Sequence, residues 1–429
     1  MRTGFSPEQL QAPTLAEVEK NLRACVHCGI CTATCPTYVL LGDERDSPRG
    51  RIVMIQRMLE EGGAPSPEAV EHIDRCLSCL GCRTACPSSV NYQRLVDAAR
   101  VHIAEHHTRP PAERLLRRFI AEVLTRPERV TNGMLLARFF APFAKRLPGR
   151  LGAMARKGAR PRAVKSKLPQ ADPAHARVAL MPGCAQAALA PEIDAAAARV
   201  LARRGFGLVA LAGAGCCGAL NHHLGETRNA KVWAKRAIAA FEDAGGADAF
   251  EAVLITATGC AVHLKDYAHL LADEPEWSAR AQIFAAKMKD LSELLSPRPV
   301  TPPRRLRLTW QVPCSLQHGL RLAGANEAAL RAAGHEVLAI PEGHLCCGSA
   351  GSYSLLQPAI AGHLRARKLA HVAALAPDAI VTANIGCLDH LSGPDAPLLV
   401  HLAEVIDWSE GGPPPAALAR PRSPGGGRR

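Results

Sequence analysis

Two short runs of cysteine lie in the first quarter of the chain. CVHCGICTATC spans residues 25–35 and CLSCLGCRTAC spans residues 76–86, and a proline follows each run. Both runs have the spacing C-x2-C-x2-C-x3-C-P. Thiolates spaced this closely are typical ligands of iron–sulfur clusters, which carry single electrons. The two runs therefore predict metal-binding loops with a redox role.

Within each run, the first three thiols suit one [4Fe–4S] cluster and the fourth suits another. Three thiolates two residues apart reach three corners of one cube, whereas the fourth, followed by proline, serves the cluster of the other run. Gly29 and Gly81 are expected to relieve crowding and to free backbone N–H groups toward cluster sulfur. The alternative, structural zinc, takes two Cys pairs separated by a longer loop. The predicted ligand sets are Cys25, Cys28, Cys31 and Cys86 for the first cluster, and Cys76, Cys79, Cys82 and Cys35 for the second.

The second half of the chain repeats itself. The Cys-Cys-Gly at 216–218 returns 130 residues later at 346–348, and LITATGCAVHL (254–264) corresponds to IVTANIGCLDHL (380–391). Landmarks in the same order predict a duplicated α/β domain with a mostly parallel sheet. Ligands bind at the carboxyl edge of such sheets, so the thiols of each repeat should converge there. The candidate metal ligands are Cys184, Cys216, Cys217, Cys260 and His263 in the first repeat, and Cys314, Cys346, Cys347, Cys387 and His390 in the second.

The sequence leaves the chemistry of these ten residues open. Four thiolates, or three thiolates and a histidine, would hold a further iron–sulfur cluster, and a mixture of Cys and His would hold zinc. Buried free cysteines are also common as small core residues. Both repeats end in Cys-x-x-His, which favours a metal site in at least one of them.

Composition indicates a multidomain protein. The chain has 429 residues and 16 cysteines, and 48% of it is apolar. We expect no signal peptide and no membrane span, because the N-terminus lacks an apolar stretch and no apolar run of about 18 residues occurs. Clustered thiols then favour metal over disulfides and predict a cytoplasmic location. The predicted fold is α+β and α/β, with a mainly helical two-cluster ferredoxin-like domain over 1–105, a basic helical connector over 106–175, Cys-rich repeats over 176–300 and 301–410, and a disordered tail over 411–429.

The net charge of +13 is concentrated in the connector. Residues 109–167 hold 16 Lys or Arg against three acids. The segments 113–124 and 133–147 have helical spacing with Leu and Phe on one side. Such helices either lie in a membrane interface or form a solvated face that docks on a partner subunit. The basic residues are not interleaved with stacking aromatics, so no nucleic-acid partner is expected.

Four segments of the chain form a characteristic set: CVHCGICTATCPTYVLLGDERDSPRGRI (25–52), CLSCLGCRTACPSSVNY (76–92), CCGALNHHLG (216–225) and CCGSAGSYSLLQP (346–358). Together they resemble the glycolate oxidase (glycolate dehydrogenase) iron–sulfur subunit family. The resemblance implies flavin-containing partner subunits that oxidise glycolate to glyoxylate, while this chain passes the electrons toward quinone at the inner face of the cytoplasmic membrane. The chain has no P-loop, and the resemblance assigns substrate oxidation to the partner subunits, so no catalytic residue is expected in it.

Cys-Cys-Gly repeats also occur in heterodisulfide reductase subunits, lactate-utilisation proteins and the anaerobic glycerol-3-phosphate dehydrogenase small subunit. In the heterodisulfide reductase type the last Cys of each repeat is followed by C-x-x-C, where this chain has C-x-x-H. This departure argues against large non-cubane clusters and against a disulfide-cleaving catalytic subunit. The repeats would also suit an iron–sulfur subunit of a lactate or glycerol 3-phosphate dehydrogenase, or a non-redox zinc scaffold. His222 and His223 are expected to tune a site or to reach a quinone oxygen.

Overall fold

The first part of the protein is helical, as the sequence predicts. The computed structural model describes residues 1–139, 168, 172 and 176–419. Short 3-10 turns cover Gln9–Gln11, Ile30–Thr32 and Glu44–Asp46. The helices are α1 (Pro13–Ala24), α2 (Pro36–Leu41), α3 (Pro48–Glu61), α4 (Pro67–Asp74), α5 (Gly81–Ala85), α6 (Tyr92–His106), α7 (Pro111–Val123) and α8 (Pro127–Phe139).

Proline and serine define where the helices around the cysteine loops begin. A proline at the first helical position has no N–H to leave unpaired, and its fixed φ suits a helix. Ser47 caps α3 by accepting a hydrogen bond from the N–H of Gly50, and Ser66 caps α4 through the N–H of Ala69. The buried residues of α3 include Ile52, Ile55, Met58 and Leu59, which form one apolar stripe along the helix.

The rest of the described chain forms two parallel sheets of four strands each. Their strand orders are β2-β1-β3-β4 and β6-β5-β7-β8, and the identical order confirms the duplication. Helices cover both faces of such sheets, so the strands are short apolar runs. The strands are β1 (Ala176–Leu180), β2 (Phe206–Ala210), β3 (Ala252–Ile255) and β4 (Met288–Asp290) in the first repeat, and β5 (Arg307–Trp310), β6 (Glu336–Leu338), β7 (Ala379–Thr382) and β8 (Leu398–His401) in the second.

Helices connect the strands of both repeats. A π-helical turn at Ser315–Gly319 follows β5. The helices are α9 (Ala185–Leu189), α10 (Glu192–Ala202), α11 (Ala219–His223), α12 (Thr227–Asp243), α13 (Gly246–Ala249), α14 (Thr258–Lys265), α15 (Tyr267–Leu270), α16 (Pro275–Lys287), α17 (Leu291–Leu294), α18 (Ala325–Ala332), α19 (Tyr353–Leu356), α20 (Pro358–Leu375), α21 (Ile385–Leu391), α22 (Leu402–Ser409) and α23 (Ala416–Ala419).

The carboxyl edges of the two sheets meet. Thr258, just after β3, places its hydroxyl oxygen 2.7 Å from that of Ser315, just after β5. The next residue, Gly259, donates its N–H to the side-chain oxygen of Asn384 after β7, at 3.4 Å. Ligands bind at this edge of parallel sheets, so the ligand-binding edges of both repeats face one another.

The helical domain contacts both repeats. Arg94 of α6 donates to Asp266 of the first repeat at 2.7 Å. The hydroxyl of Tyr353 in the second repeat donates to the carbonyl of Arg75 at 2.9 Å. These contacts fix the cysteine loops relative to the thiols of the repeats.

The connector is described only in part. α7 accounts for the predicted helix over 113–124, and its Ile120 packs against Leu224 of the first repeat. The helix predicted over 133–147 is described through Phe139, within α8, and its remainder lies outside the described residues. No helix in the described ranges is long and apolar enough to cross a membrane.

The expectation of a disordered tail from residue 411 is wrong at its start. Ala416–Ala419 form one helical turn, α23. The turn forms because Ala417 and Leu418 pack against the main hydrophobic core. Residues 420–429 lie outside the described part of the chain.

Candidate iron–sulfur and metal centres

The four thiols assigned to the first cluster line one cavity, which we call the surface cavity. Arg49 and Tyr92 also border it. Cys28 is exposed, so the cavity opens toward solvent. Its thiols are those of Cys25, Cys28, Cys31 and Cys86, and Cys82 lies at its border.

The four thiols assigned to the second cluster line another cavity, the inner cavity. Cys35 comes from the first run and lies with three thiols of the second run, whereas Cys86 lies with the first. The structure thus brings the thiols together in the crossed sets that the spacing predicts. The thiols of the inner cavity are Cys35, Cys76, Cys79 and Cys82.

The backbone of both loops bends at matching positions. His27 and Gly29, two and four residues after the first cysteine of their run, have φ values of 56° and 81°. Ser78 and Leu80 hold the same positions in the second run, with φ of 51° and 62°. Positive φ is costly for residues other than glycine, so the shared bends are imposed by the need to wrap the loop around a centre.

The glycines of the loops permit close approach, as expected. A Cβ atom on Gly29 would lie 2.5 Å from a guanidinium nitrogen of Arg49. A Cβ atom on Gly81 would lie 3.1 Å from the carbonyl oxygen of Thr34, in the other loop. A larger residue at either position would push these groups away from the cavities.

A buried cation lies beside the inner cavity. The Arg51 guanidinium is 1% exposed and forms a 3.0 Å ion pair with Asp46. Burial disfavours the cation, but the thiolates of Cys76 and Cys35, with Asp46, hold the pKa of Arg51 above its usual value. Sequence reasoning missed this residue, whose position in an amphipathic helix resembles that of a solvent-facing arginine.

Two of these thiols, those of Cys31 and Cys79, resist ionisation. Burial raises the pKa of Cys31 to about 11, and the nearby Cys25 adds to the effect. Burial, then the charges of Cys314 and Cys35, also raise the pKa of Cys79. Buried thiolates therefore need a bound cation, which the iron of a cluster supplies. The residues of both cavities fit [4Fe–4S] clusters in number, kind and grouping.

The four thiols of the first repeat converge at the carboxyl edge of its sheet. The Sγ atoms of Cys184 and Cys216 are 3.5 Å apart, and the thiol of Cys217 contacts that of Cys260. Gly218 donates its N–H to the Sγ of Cys216 at 3.3 Å. The predicted convergence is therefore present in this repeat.

The second repeat has the same arrangement. Cys314 and Cys346 place their Sγ atoms 3.8 Å apart, and Cys347 and Cys387 place theirs 3.5 Å apart. Gly348 donates its N–H to the Sγ of Cys346 at 3.5 Å. Two thiolates at 2.3 Å from one tetrahedral metal lie about 3.8 Å apart, so these pairs have the spacing of a single tetrahedral ion.

The two Cys-x-x-His histidines have different surroundings. The Nε2 atom of His390 lies 3.3 Å from the carbonyl oxygen of Ala361 on α20. The His263 ring centroid instead lies 5.1 Å from that of His222. The structure therefore places His263 in a separate group of histidines, whereas His390 contacts the backbone of α20.

That separate group includes a residue missed by sequence reasoning. His222 and His223, both on α11, lie with Asp97 of α6, and one ligand atom from each is within 4.8 Å of the others. Asp97 gives no sequence signal, because a single acid on an amphipathic helix is usually solvated.

The fold and the thiol sets define an iron–sulfur protein with a two-cluster domain and a duplicated cysteine-rich domain. The family described as "4Fe-4S dicluster domain" matches residues 21–90. The family described as "Cysteine-rich domain" matches residues 178–265 and 308–392.

Curated relatives identify the family more closely. The chain is 39% identical over 417 residues to "Glycolate oxidase iron-sulfur subunit" of Escherichia coli (strain K12), covering 95% of this chain and 98% of that one. It is 31% identical over 403 residues to "Probable glycolate oxidase iron-sulfur subunit" of Bacillus subtilis (strain 168), covering 86% of this chain and 88% of that one. The chain belongs to the family of glycolate oxidase iron–sulfur subunits.

Two further similarities are weaker, the first in coverage of this chain and the second in sequence identity. "Lactate utilization protein A" of Geobacillus kaustophilus (strain HTA426) is 31% identical over 205 residues, covering 45% of this chain and 82% of that one. The solved structure "Crystal structure of a hypothetical protein from Helicobacter pylori" has a TM-score of 0.51 at 10% identity, covering 93% of this chain and 73% of that one. This structural likeness concerns the fold alone.

Proposed function

We propose that this chain is the electron-transfer subunit of a glycolate-oxidising complex. Flavin-containing partner subunits would convert glycolate to glyoxylate, and this chain would conduct the electrons toward membrane quinone. The observation that carries the proposal is the pair of neighbouring thiol cavities, the exposed surface cavity and the inner cavity, which share Cys82 in their linings. [4Fe–4S] clusters, when bound, supply one-electron transfer.

The surface cavity has the features of a site that accepts electrons from a partner. Cys28 is exposed, and the apolar side chains on either side of it, Val26 and Ile30, are 70% and 54% exposed. Exposed apolar residues beside a reactive site are typical of a docking surface. The flavin-containing subunit is therefore proposed to cover Val26 and Ile30.

The inner cavity borders the second repeat. Cys79 and Cys314 belong to one apolar cluster that also contains Leu77 and Cys346. In addition, the hydroxyl of Thr84, in the second cysteine loop, lies 2.7 Å from Nδ1 of His318, which follows Cys314 by one turn. These contacts support the second repeat as the next site after the inner cavity.

Metal on the thiols of the repeats is also part of the proposal. The four thiols of each repeat would hold either an iron–sulfur cluster, which extends the electron route, or zinc, which stabilises a docking domain. The 3.5–3.8 Å spacing of the measured thiol pairs favours one tetrahedral ion. In that case the electrons would leave this chain near the inner cavity.

A peripheral position on the inner face of the cytoplasmic membrane is proposed from α7. Its buried side packs on the first repeat, but Leu115 and Phe119 remain 71% and 38% exposed. Arg114 and Arg118, beside them, are exposed as well. Apolar and basic side chains together suit an anionic lipid surface. If a low-salt wash leaves the complex entirely soluble, this position is wrong.

Reduction of the clusters by substrate tests the central proposal. The chain is co-purified with its flavin-containing subunits without oxygen, mixed with glycolate or lactate, and examined by freeze-quench EPR. We expect glycolate to reduce the clusters only when the flavin subunits are present. Reduction by lactate alone would instead assign the chain to a lactate dehydrogenase.

A surface variant tests the docking site. Val26→Glu/Ile30→Glu should slow reduction by glycolate more than tenfold without loss of iron, because charges at an apolar interface oppose association. Val232→Glu is the matched control, since Val232 is 63% exposed on the first repeat. Equal rates for both variants would exclude Val26 and Ile30 from the docking surface.

Metal analysis distinguishes the two forms of the repeats. About eight iron per chain together with zinc would assign zinc to the repeats, and about twelve to sixteen would assign clusters. A chain without iron would contradict the proposed function as a whole.

A further inference from the structure

We infer that Asp97, His222 and His223 form a binding site for one divalent transition-metal ion between the helical domain and the first repeat. Asp97 lies on α6, and the two histidines are adjacent on α11. One ligand atom from each residue lies within 4.8 Å of the other two. The inference does not depend on the proposed function, because it uses none of the sixteen thiols.

Buried polar atoms without partners support the site. Asp97 and His222 are 8% and 7% exposed. Within the described part of the chain, both carboxylate oxygens of Asp97 and the Nδ1 atoms of His222 and His223 lack a hydrogen-bond partner. Buried polar groups are almost always paired, so four such atoms in one place call for a ligand. A metal ion would satisfy donors of this kind at once.

Two nearby arginines donate their terminal N–H groups to partners other than Asp97. Arg94 is paired with Asp266 at 2.7 Å. Arg100 donates to the hydroxyl of Ser78 at 2.6 Å and to the carbonyl of Cys76 at 2.7 Å. The Asp97 carboxylate is therefore left available for a metal ion.

The donor set indicates which metals would bind. Two imidazoles and one carboxylate are a common set for catalytic zinc and for non-haem ferrous iron, with further positions left for water. The set contains no thiolate, which separates it chemically from the cysteine sites. His263, whose ring is 5.1 Å from that of His222, would lie just outside the ligands. Zinc is the appropriate probe because it has no redox chemistry to confuse with the clusters.

The ion would join two domains that already approach closely. Next to the site, Gly225 has φ of 84°, and a Cβ atom there would lie 2.4 Å from the carbonyl oxygen of Arg100 on α6. Arg100, also on α6, donates a hydrogen bond to the carbonyl oxygen of Cys76, whose thiol lines the inner cavity. A metal bound across α6 and α11 would therefore hold the first repeat against the helix that supports that cavity.

Zinc content and zinc X-ray absorption test the inference on the full chain purified without oxygen. The variant is Asp97→Asn/His222→Gln/His223→Gln. The control is His102→Gln/His106→Gln, which removes a stacked pair of less buried histidines from the same helix, α6. Iron and acid-labile sulfide are measured in parallel to confirm that each protein is folded.

We expect the triple variant to lose one zinc per chain relative to both the wild type and the control. In the zinc X-ray absorption spectrum, the zinc that is lost should have nitrogen or oxygen ligands at about 2.0–2.1 Å, not sulfur ligands at about 2.3 Å. Equal zinc content in wild type and triple variant, or loss of a sulfur shell, would overturn the inference.

A milder variant guards against misfolding. If the triple variant also loses iron, Asp97→Asn alone should reduce zinc affinity at least tenfold in competition with a chelator, with iron content unchanged. Unchanged zinc affinity in that variant would refute the site.

Discussion

The Nη1 atom of Arg51 lies 3.8 Å from the Sγ atom of Cys35, while Nη2 of the same guanidinium lies 3.0 Å from Oδ1 of Asp46. Cys35 is the thiol that crosses from the first run to the inner cavity. One buried cation is therefore shared between the thiols of that cavity and a buried carboxylate. A cationic hydrogen-bond donor near cluster sulfur favours the more negatively charged, reduced state.

Replacing Arg51 should lower the reduction potential of the inner cluster. In Arg51→Met we expect a shift on the order of tens of millivolts, because a loss of 1.4 kcal/mol corresponds to about 59 mV for one electron. The shift is measured by redox titration followed by EPR.

Arg51→Lys and Arg57→Met are the controls for this prediction. Arg51→Lys keeps the positive charge, so the reduction potential of the inner cluster should stay close to that of the wild type. Arg57, exposed on the same helix, pairs only with Glu61 in the ion pairs of the described chain, so its removal should leave both potentials unchanged. An unchanged inner-cluster potential in Arg51→Met would show that the cation has no electrostatic role.

Pairs of cysteine substitutions should reveal the crossed ligand sets. Cys35→Ser/Cys79→Ser removes two thiols of the inner cavity and should leave about four iron atoms per chain. Cys31→Ser/Cys35→Ser removes one thiol from each cavity and should disturb both clusters, although both residues belong to one run. Iron analysis and EPR measure the outcome. Retention of one intact cluster only in the second variant would mean that each run binds its own cluster.

The thiol groupings were predictable because the relevant information is local. Cysteine spacing specifies which thiols reach one centre, and short apolar runs ending before a cysteine specify strands whose carboxyl ends carry thiols. The grouping of Cys35 with the second run followed from spacing alone. The matching orders of the two sheets followed from the repeated landmarks.

The charged residues near these centres were not predictable, since their roles depend on tertiary contacts. Arg51 is buried because Thr37 of α2 and Asp46 of the 3-10 turn before α3 accept its hydrogen bonds. His263 and His390 share a motif but differ in setting. His222 packs beside His263, whereas the second repeat has Ser352 at the position of His222. Local sequence cannot distinguish such positions.

Alanine at Gly348 should destabilise the second repeat. Gly348 has φ of 94°, and an added Cβ atom would lie 2.7 Å from the carbonyl oxygen of Ala361. A left-handed alanine costs about 1–2 kcal/mol, and the backbone contact adds to this. We expect Gly348→Ala to lower the melting temperature by several degrees in circular dichroism.

Gly362 provides the opposite control within the same repeat. It is exposed in α20, and a Cβ atom there would meet nothing within 4 Å. Gly362→Ala should therefore stabilise the protein by about 0.8–1 kcal/mol. A stabilising Gly348→Ala would contradict the backbone geometry around the second Cys-Cys-Gly.

Stability of the first repeat should depend on pH through Asp194. Burial, with a contribution from Glu192, raises the pKa of Asp194 from 3.8 to about 7, although Thr256 and Gln186 donate to it. Between about pH 4 and pH 7, the Asp194 carboxyl therefore keeps its proton in the folded state but has already lost it in the unfolded state. The free energy of unfolding should therefore fall as the pH rises through that window, by at most about 4 kcal/mol.

Asp194→Asn should remove this dependence. The amide has no proton to lose and keeps an oxygen that accepts from Thr256. Relative to wild type, the variant should gain stability steadily from pH 4 to pH 7 and keep a constant advantage above pH 7. Urea unfolding of both proteins at pH 5, 6, 7 and 8 measures the difference. A difference that is the same at every pH would mean that Asp194 ionises equally in the folded and unfolded states, so that its burial does not influence stability.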